Sequence, residues 1–249
     1  MATDEALFCL AMPGTAPVLR FYTWERPTLS LGYFQDYKKV VLDTFCVHNN
    51  IDVVRRITGG RSVLHQYEVT YAVVAPLEKL FANQSLQETY QLIAKALNRA
   101  LEQLGIADPS IAMNIPADAA REARLPQCFV AVSQYEHSVQ YRKIIGSAQK
   151  RSREAFLQHG SILLDFDARL QQGCIRRPDP EIEKKIAPLN RMLGRSLPFD
   201  EIASHFCKAF EETLHITLRP GRLTSGEEER VSLLEEKYRN REWIEGRCR

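Results

Sequence analysis

A thiol and a lysine fifteen residues apart define the chemistry this chain could perform. The segment runs Gln127-Cys128-Phe129, then Lys143-Ile144-Ile145-Gly146-Ser147-Ala148-Gln149, then Gln158-His159-Gly160-Ser161-Ile162-Leu163-Leu164. A thiol is a strong nucleophile only as thiolate, and a nearby ammonium ion favours that form. The residues therefore raise an acyl group carried on Cys128, with Lys143 as its electrostatic partner. The ordinary alternatives are a solvating lysine at a strand start and a cysteine acting as a small hydrophobe. Gly146-Ser147-Ala148 differs in kind: three small residues inside a strand pattern mark close approach by another group.

A second candidate is Arg55-Arg56-Ile57-Thr58-Gly59-Gly60-Arg61-Ser62-Val63-Leu64-His65. A Gly-Gly turn after a strand lets backbone approach a ligand closely, and its N–H groups can cradle an anion or a carbonyl oxygen. The spacing and the Lys-Ser/Thr pair of a Walker loop are absent. As a bare pattern, Gly-Gly at a strand end is usually only a turn.

These residues need elements to position them. Val18–Trp24 and Thr28–Phe34 predict two strands around Pro27. Tyr37–His48 carries helical spacing, and Asp52–Ile57 a short strand ending at Thr58-Gly59-Gly60. Glu68–Ala75 alternates Val69, Tyr71 and Val73 against Thr70 and Ala72. Ser85–Leu104 reads as a helix with a Ser85/Glu88 capping box, one apolar stripe (Leu86, Tyr90, Ile93, Leu97, Leu101, Leu104), and Gly105 to stop it. Tyr135–Gln140 and Lys143–Ala148 predict a hairpin, and Phe156–Phe166 a further strand. Phe199–Leu214 and Ser225–Tyr238 are amphipathic, the latter with a Ser225/Glu228 capping box. Between them lies a charged, proline-punctuated stretch that reads as solvated surface. The order of strands, helix, strands, helices predicts an α+β fold with a mixed, largely antiparallel sheet flanked by helices.

The chain has 249 residues, 45% hydrophobic and 26% charged, with a net charge of +2. This suits a soluble globular protein and argues for neither nucleic acid nor membrane as a partner. Apolar runs such as Tyr71–Ala75 are too short to span a bilayer. Asp4 and Glu5 stand where a secretory signal would be basic, so a cytoplasmic location is expected. The six cysteines (Cys9, Cys46, Cys128, Cys174, Cys207, Cys248) form no C-x-x-C pair, so no metal site is expected.

Taken together, Arg-Arg-x-Thr-Gly-Gly-x-x-Val-x-His-x-x-Glu-x-Thr-Tyr (55–71), Cys-Phe (128–129), Lys-Ile-x-Gly-Ser-Ala-Gln (143–149) and Leu-Gln-His-Gly-Ser-Ile-Leu-Leu (157–164) resemble the biotin/lipoate protein ligase family. Within it they look like the cysteine-dependent octanoyl-acyl-carrier-protein:protein N-octanoyltransferases. The resemblance runs from about Ala2 to Leu214. It implies one catalytic domain over 1–249, with a helical portion from about residue 199. Met1-Ala2-Thr3-Asp4-Glu5-Ala6-Leu7 matches the family's Asn-Met-Ala-x-Asp-Glu-Ala-Leu stretch from its Met onward. The resemblance implies that the strand usually preceding that helix is absent here: either the start codon was assigned late, or a sheet edge is left uncovered. Tyr141-Arg142 departs from the family's Gly-Arg in the hairpin turn.

The resemblance implies that Cys128 takes octanoyl from acyl carrier protein and passes it to a lysine of a lipoyl domain, with no cofactor. Lys143 matches the family lysine that lowers the thiol pKa. The backbone of Gly146-Ser147-Ala148 is the candidate oxyanion donor. Thr58, Gly59 and Gly60 would border the thioester or acyl chain, and Arg56 and Gly160 join the substrate-binding set. His65 and His159 resemble pocket-wall residues, for which a structural hydrogen-bonding role is preferred. Arg55, Arg56, Arg61, Lys150, Arg151 and Arg153 would form a basic surface steering acidic partners. Three rivals share parts of the pattern: an ATP-dependent lipoate–protein ligase, an amidotransferase between lipoyl domains, and a silent relative that only binds carrier proteins.

Overall fold

A computed structural model describes residues 1–111 and 137–246. Cys128, Phe129, Tyr135 and Cys248, named above, lie outside the described residues. Nine strands are described: β1 (Val18–Tyr22), β2 (Thr28–Leu31), β3 (Asp52–Arg55), β4 (Val63–His65), β5 (Glu68–Pro76), β6 (Ser110–Ile111), β7 (His137–Val139), β8 (Arg142–Arg151) and β9 (Ala155–Leu163). They form two sheets. The larger has six strands in the order β1-β5-β9-β8-β7-β6, and every pair is antiparallel. The smaller has the order β3-β2-β4, with β2 parallel to β3 and antiparallel to β4. The fold is therefore α+β with mixed, largely antiparallel pairing. The two runs around Pro27 do form strands, but β1 and β2 belong to different sheets.

The helices divide between the faces of the large sheet. Helix α1 (Ala2–Leu10) packs Leu7 and Phe8 on Ala72, Val74, Ala155 and Leu157. On the opposite face, the long helix Leu86–Gln103 and the helix Phe199–Leu214 pack Ile93, Leu97, Ile202 and Phe206 on Val69, Tyr71, Val73 and Phe156. Both faces are thus covered, and all nine residues of β5 are buried. Alternation in β5 does not separate core from solvent; it separates one interior from another.

Helix Leu86–Gln103 opens with the capping box of Ser85 and Glu88, and Gly105 at φ +91 follows its end. Leu86 alone of its stripe stays exposed. The run Tyr37–His48 is two short helices, Tyr37–Val40 and Asp43–His48, instead of one. Val41 turns extended and bridges Ile175, which breaks the helical run. The helix Ser225–Arg239 is capped by Thr224 with Glu227, one residue before the expected pair, because it is the Thr224 hydroxyl that reaches the Glu227 amide. β7 and β8 form the hairpin, turning at Gln140 and Tyr141, both at positive φ. No helix among the described residues is long and apolar enough to cross a membrane.

Candidate functional site

The Arg55–His65 block and the 143–160 block meet where the two sheets face each other. Thr58 follows β3, and His159 lies on β9. Thr58 Oγ1 and His159 Nε2 are 2.7 Å apart, and both residues are buried. Arg56 stands behind Thr58 with its guanidinium buried. It has five N–H groups, and five bonds account for them: Nε to Thr58 Oγ1 (3.1 Å), one terminal nitrogen to Ser30 O and Ser30 Oγ (both 3.1 Å), and the other to Gly59 O (2.9 Å) and Arg61 O (2.7 Å). Arg56 clamps the Gly-Gly turn with every donor it has.

The carboxylates beside the two histidines set where their protons lie. The Asp4 carboxylate can only accept, so the neutral His159 turns its Nδ1–H to it and its Nε2 accepts from the Thr58 hydroxyl, which itself accepts from Arg56. His159 then carries its proton on Nδ1, 3.4 Å from Asp4 Oδ2. In the other arm, His65 Nδ1 donates to Glu68 Oε1 at 3.2 Å, which leaves Nε2 to take the Ser30 hydroxyl proton (2.8 Å), and Ser30 accepts from Arg56. Thr70 also donates to that oxygen (2.7 Å), and Trp24 Nε1 donates to Thr70 while its ring stacks on His65 at 4.3 Å. His65 and His159 are therefore joined through Arg56, and each arm ends on a buried carboxylate.

The charges follow the same logic. Burial pushes Asp4 up, but the His159 hydrogen bond, the chain's amino group and Arg20 outweigh it and hold the carboxyl well below its usual range. Tyr22 and Arg20 also donate to Asp4. For His159 burial is the larger influence and lowers its pKa despite Asp4, so the imidazole is neutral beside an ionised carboxylate. The sequence pattern did not single out Asp4; its one signal was an acid on a helix face otherwise bound for the core.

Close backbone approach is real at two glycines of this region. A Cβ on Gly32, at the end of β2, would meet Gly60 O at 2.0 Å. A Cβ on Gly160 would meet Gly146 O at 2.5 Å and Tyr71 Cε1 at 2.6 Å. Here the strand period splits the Gly146-Ser147-Ala148 group. Ala148 pairs with His159, whereas the Ser147 hydroxyl bonds Tyr71 OH at 2.7 Å, which in turn accepts from Gln158 at 3.0 Å. β7 pairs with β8 only as far as Ile145. From Gly146 onward the edge of β8 away from β9 pairs with no other described strand.

Lys143 lies on β8, three residues before Gly146 and roughly 10 Å from it along the strand. It is wholly buried, and its carbonyl accepts from Ala187 N at 2.9 Å. A lysine is almost never buried so completely without partners, which sets it apart from the solvating lysine typical of a strand start. Of the described cysteines, burial pushes Cys46 up to about 11 and Cys174 up to about 12, and Cys207 is also raised. These thiols are poor nucleophiles at neutral pH.

The expected basic surface is corrected. Arg55 is 0% and Arg56 4% exposed, so neither can steer a partner. Arg55 Nε donates to Trp243 O (3.1 Å) and Ile244 O (3.0 Å), and one terminal nitrogen donates to the carbonyls of Gly32, Tyr33 and Gln35. Among the described residues no cluster of His, Cys, Asp or Glu is arranged to hold a metal ion.

Known proteins resemble this chain over most of its length. The family model described as the lipoyl protein ligase A/B catalytic domain matches residues 1–211. The octanoyltransferase LipM of Clostridioides difficile is 36% identical over 252 residues, covering 98% of this chain and 92% of its own. The octanoyltransferase LipM of Carboxydothermus hydrogenoformans is 38% identical over 255 residues, covering 98% and 93%. Among solved structures, lipoate-protein ligase A bound with ATP superposes with a TM-score of 0.83 at 24% identity, over 99% of this chain and 93% of that one. The bipartite lipoate protein ligase of Thermoplasma acidophilum, described with its E2 lipoyl domain, gives 0.82 at 24% identity, over 100% and 91%. At that identity the two structures establish the fold.

Proposed function

The chain belongs to the lipoyl protein ligase A/B catalytic-domain family and is an acyltransferase, and from that premise we propose that it moves an octanoyl group from acyl carrier protein, through a thioester on Cys128, to a lysine of a lipoyl domain. The observation that carries the reading is the near full-length likeness to proteins named octanoyltransferase. A cysteine and a buried lysine at the spacing of the family's motif support it.

In the first step the Cys128 thiolate attacks the donor thioester carbonyl. The tetrahedral oxyanion collapses, the carrier's thiol leaves and takes up a proton, and the octanoyl group is held on sulfur. In the second step the acceptor's neutral amine attacks the new thioester, loses a proton, and expels Cys128 as thiolate. Lys143 favours the thiolate and takes the amine's proton when it is itself neutral. Its electrostatic contribution is bounded: a thiol of pKa about 8.5 is already a few per cent ionised, so full ionisation gains about tenfold to thirtyfold. Positioning and oxyanion donors on the β8 edge must supply the remainder.

The test is intact-protein mass spectrometry after mixing with octanoyl-acyl carrier protein, without ATP, on wild type and Cys128→Ser. A hydroxylamine-labile octanoyl adduct on wild type, absent or converted to a stable ester in the variant, is expected. Activity that requires ATP and leaves no adduct means the ligase instead, and acylation only by an octanoylated lipoyl domain means the amidotransferase.

A further inference from the structure

The tight turn after β2 presents an aromatic ring to solvent. Gln35 N donates to Gly32 O at 3.0 Å, and Gly32 N donates to the Gln35 side chain at 2.9 Å. Phe34 sits at the apex and is 74% exposed. Single exposed hydrophobics are common and need no explanation. This one differs in its support: the fully buried Arg55 collects the carbonyls of Gly32, Tyr33 and Gln35, and the Tyr33 ring meets the Phe34 ring edge-on at 4.9 Å. A rigid, solvent-facing aromatic loses little freedom when a partner covers it, which is what a binding hot spot requires.

Its place relates it to the site. The Phe34 ring lies 4.0 Å from where a Cβ on Gly59 would be, so it borders the Gly-Gly turn. Around it the charge is positive. Lys150 Nζ lies over the Tyr33 ring at 5.4 Å, and Lys38 and Lys39 are exposed on the next helix. Among the described residues no carboxylate pairs with these three lysines. The nearby Asp36 turns its side chain to the Lys38 amide, and Glu245 pairs with Arg241.

We propose that Phe34 is the docking anchor for the acyl acceptor: a small folded domain that presents its lysine beside an apolar spot ringed by acidic side chains. The inference rests on the acyl-transfer reading above. A lysine amine stands only four methylenes from its backbone, so an acceptor must set its body against the rim of the site to deliver it. Phe34, beside the Gly-Gly turn, stands where such an acceptor would rest.

The experiment separates the two half-reactions in Phe34→Ser, with the 96% exposed Tyr141→Ser as control. Acyl-enzyme formation is read with octanoyl-acyl carrier protein, and transfer is read with an isolated lipoyl domain. Phe34→Ser raises the KM for the lipoyl domain by about tenfold or more, with acyl-enzyme formation and melting temperature unchanged; Tyr141→Ser changes neither. Lys38→Glu with Lys39→Glu raises the same KM and flattens its salt dependence. An unchanged acceptor KM in Phe34→Ser overturns the proposal, as does a loss confined to acyl-enzyme formation, which would make this the donor's dock. If wild type forms no acyl-enzyme at all, the reaction fails but the dock does not. Calorimetric titration of the lipoyl domain into wild type and Phe34→Ser then decides it alone: binding lost in the variant supports the dock, and equal binding overturns it.

Discussion

Thr58 Oγ1 stands 2.7 Å from His159 Nε2, and this hydrogen bond ties the small sheet to the large one at the candidate site. Thr58→Val keeps the shape and removes the link. It orphans Arg56 Nε and His159 Nε2, each at a cost of about 1–3 kcal/mol. Urea unfolding should show a loss of that order, with Thr58→Ser recovering most of it. A valine variant as stable as wild type would mean that the link contributes nothing.

Gly32→Ala should be far more damaging than its single methyl suggests. The new Cβ would meet Gly60 O at 2.0 Å, and that atom is backbone held by Arg56 through Gly59 and Arg61. The turn has to move or the strand has to shift, at about 1–3 kcal/mol or more. Acyl transfer should fall further than stability does. Gly221→Ala, with nothing within 4 Å of its Cβ, is the neutral comparison.

Lys143→Ala tests the dyad through pH. If the lysine acts on thiol ionisation alone, acyl-enzyme formation drops about tenfold to thirtyfold near pH 7 and recovers above the ordinary thiol pKa. Iodoacetamide labelling of Cys128 across pH should show its midpoint moving upward in the variant. A midpoint that stays put would remove Lys143 from the activation of the thiol.

His137 predicts a pH-dependent stability. It is buried on β7, donates from Nε2 to Ala94 O at 2.8 Å, and leaves Nδ1 without a partner among the described residues. Burial lowers its pKa from 6.5 to about 4. Between those values the unfolded chain binds a proton that the folded one refuses, so stability falls as pH drops from about 6.5 to about 4, by roughly 3 kcal/mol. His159, also lowered, adds to the same slope. His137→Gln should make the pH dependence of the urea midpoint shallower; an unchanged slope would show that the histidine titrates normally.

Local signals made the elements legible. The Ser85/Glu88 box, Gly105, and the aromatic and β-branched runs lie within a few residues of what they specify. Partners far along the chain were not legible. Arg55 and Arg56 read as surface charge because arginine usually is, yet Arg55 finds its acceptors 20 to 23 and 188 to 189 residues away. Asp4 reaches His159 across 155 positions, and nothing adjacent to either announces it. Ser147 looked like one unit with Gly146 and Ala148 until the strand turned it to Tyr71 on the other face. Cys128 lies outside the described residues, so its place beside Lys143 rests on the motif.

The carbonyls of Trp243 and Ile244 also impose an order of events. Arg55 is translated 188 residues before Trp243, roughly 10–40 s earlier at ordinary elongation rates. Throughout that interval the nascent chain holds an arginine destined for full burial with two of its acceptors not yet made. Its other acceptors, the carbonyls of Gly32, Tyr33 and Gln35, are already present, so residues 243 and 244 complete the burial of Arg55 last.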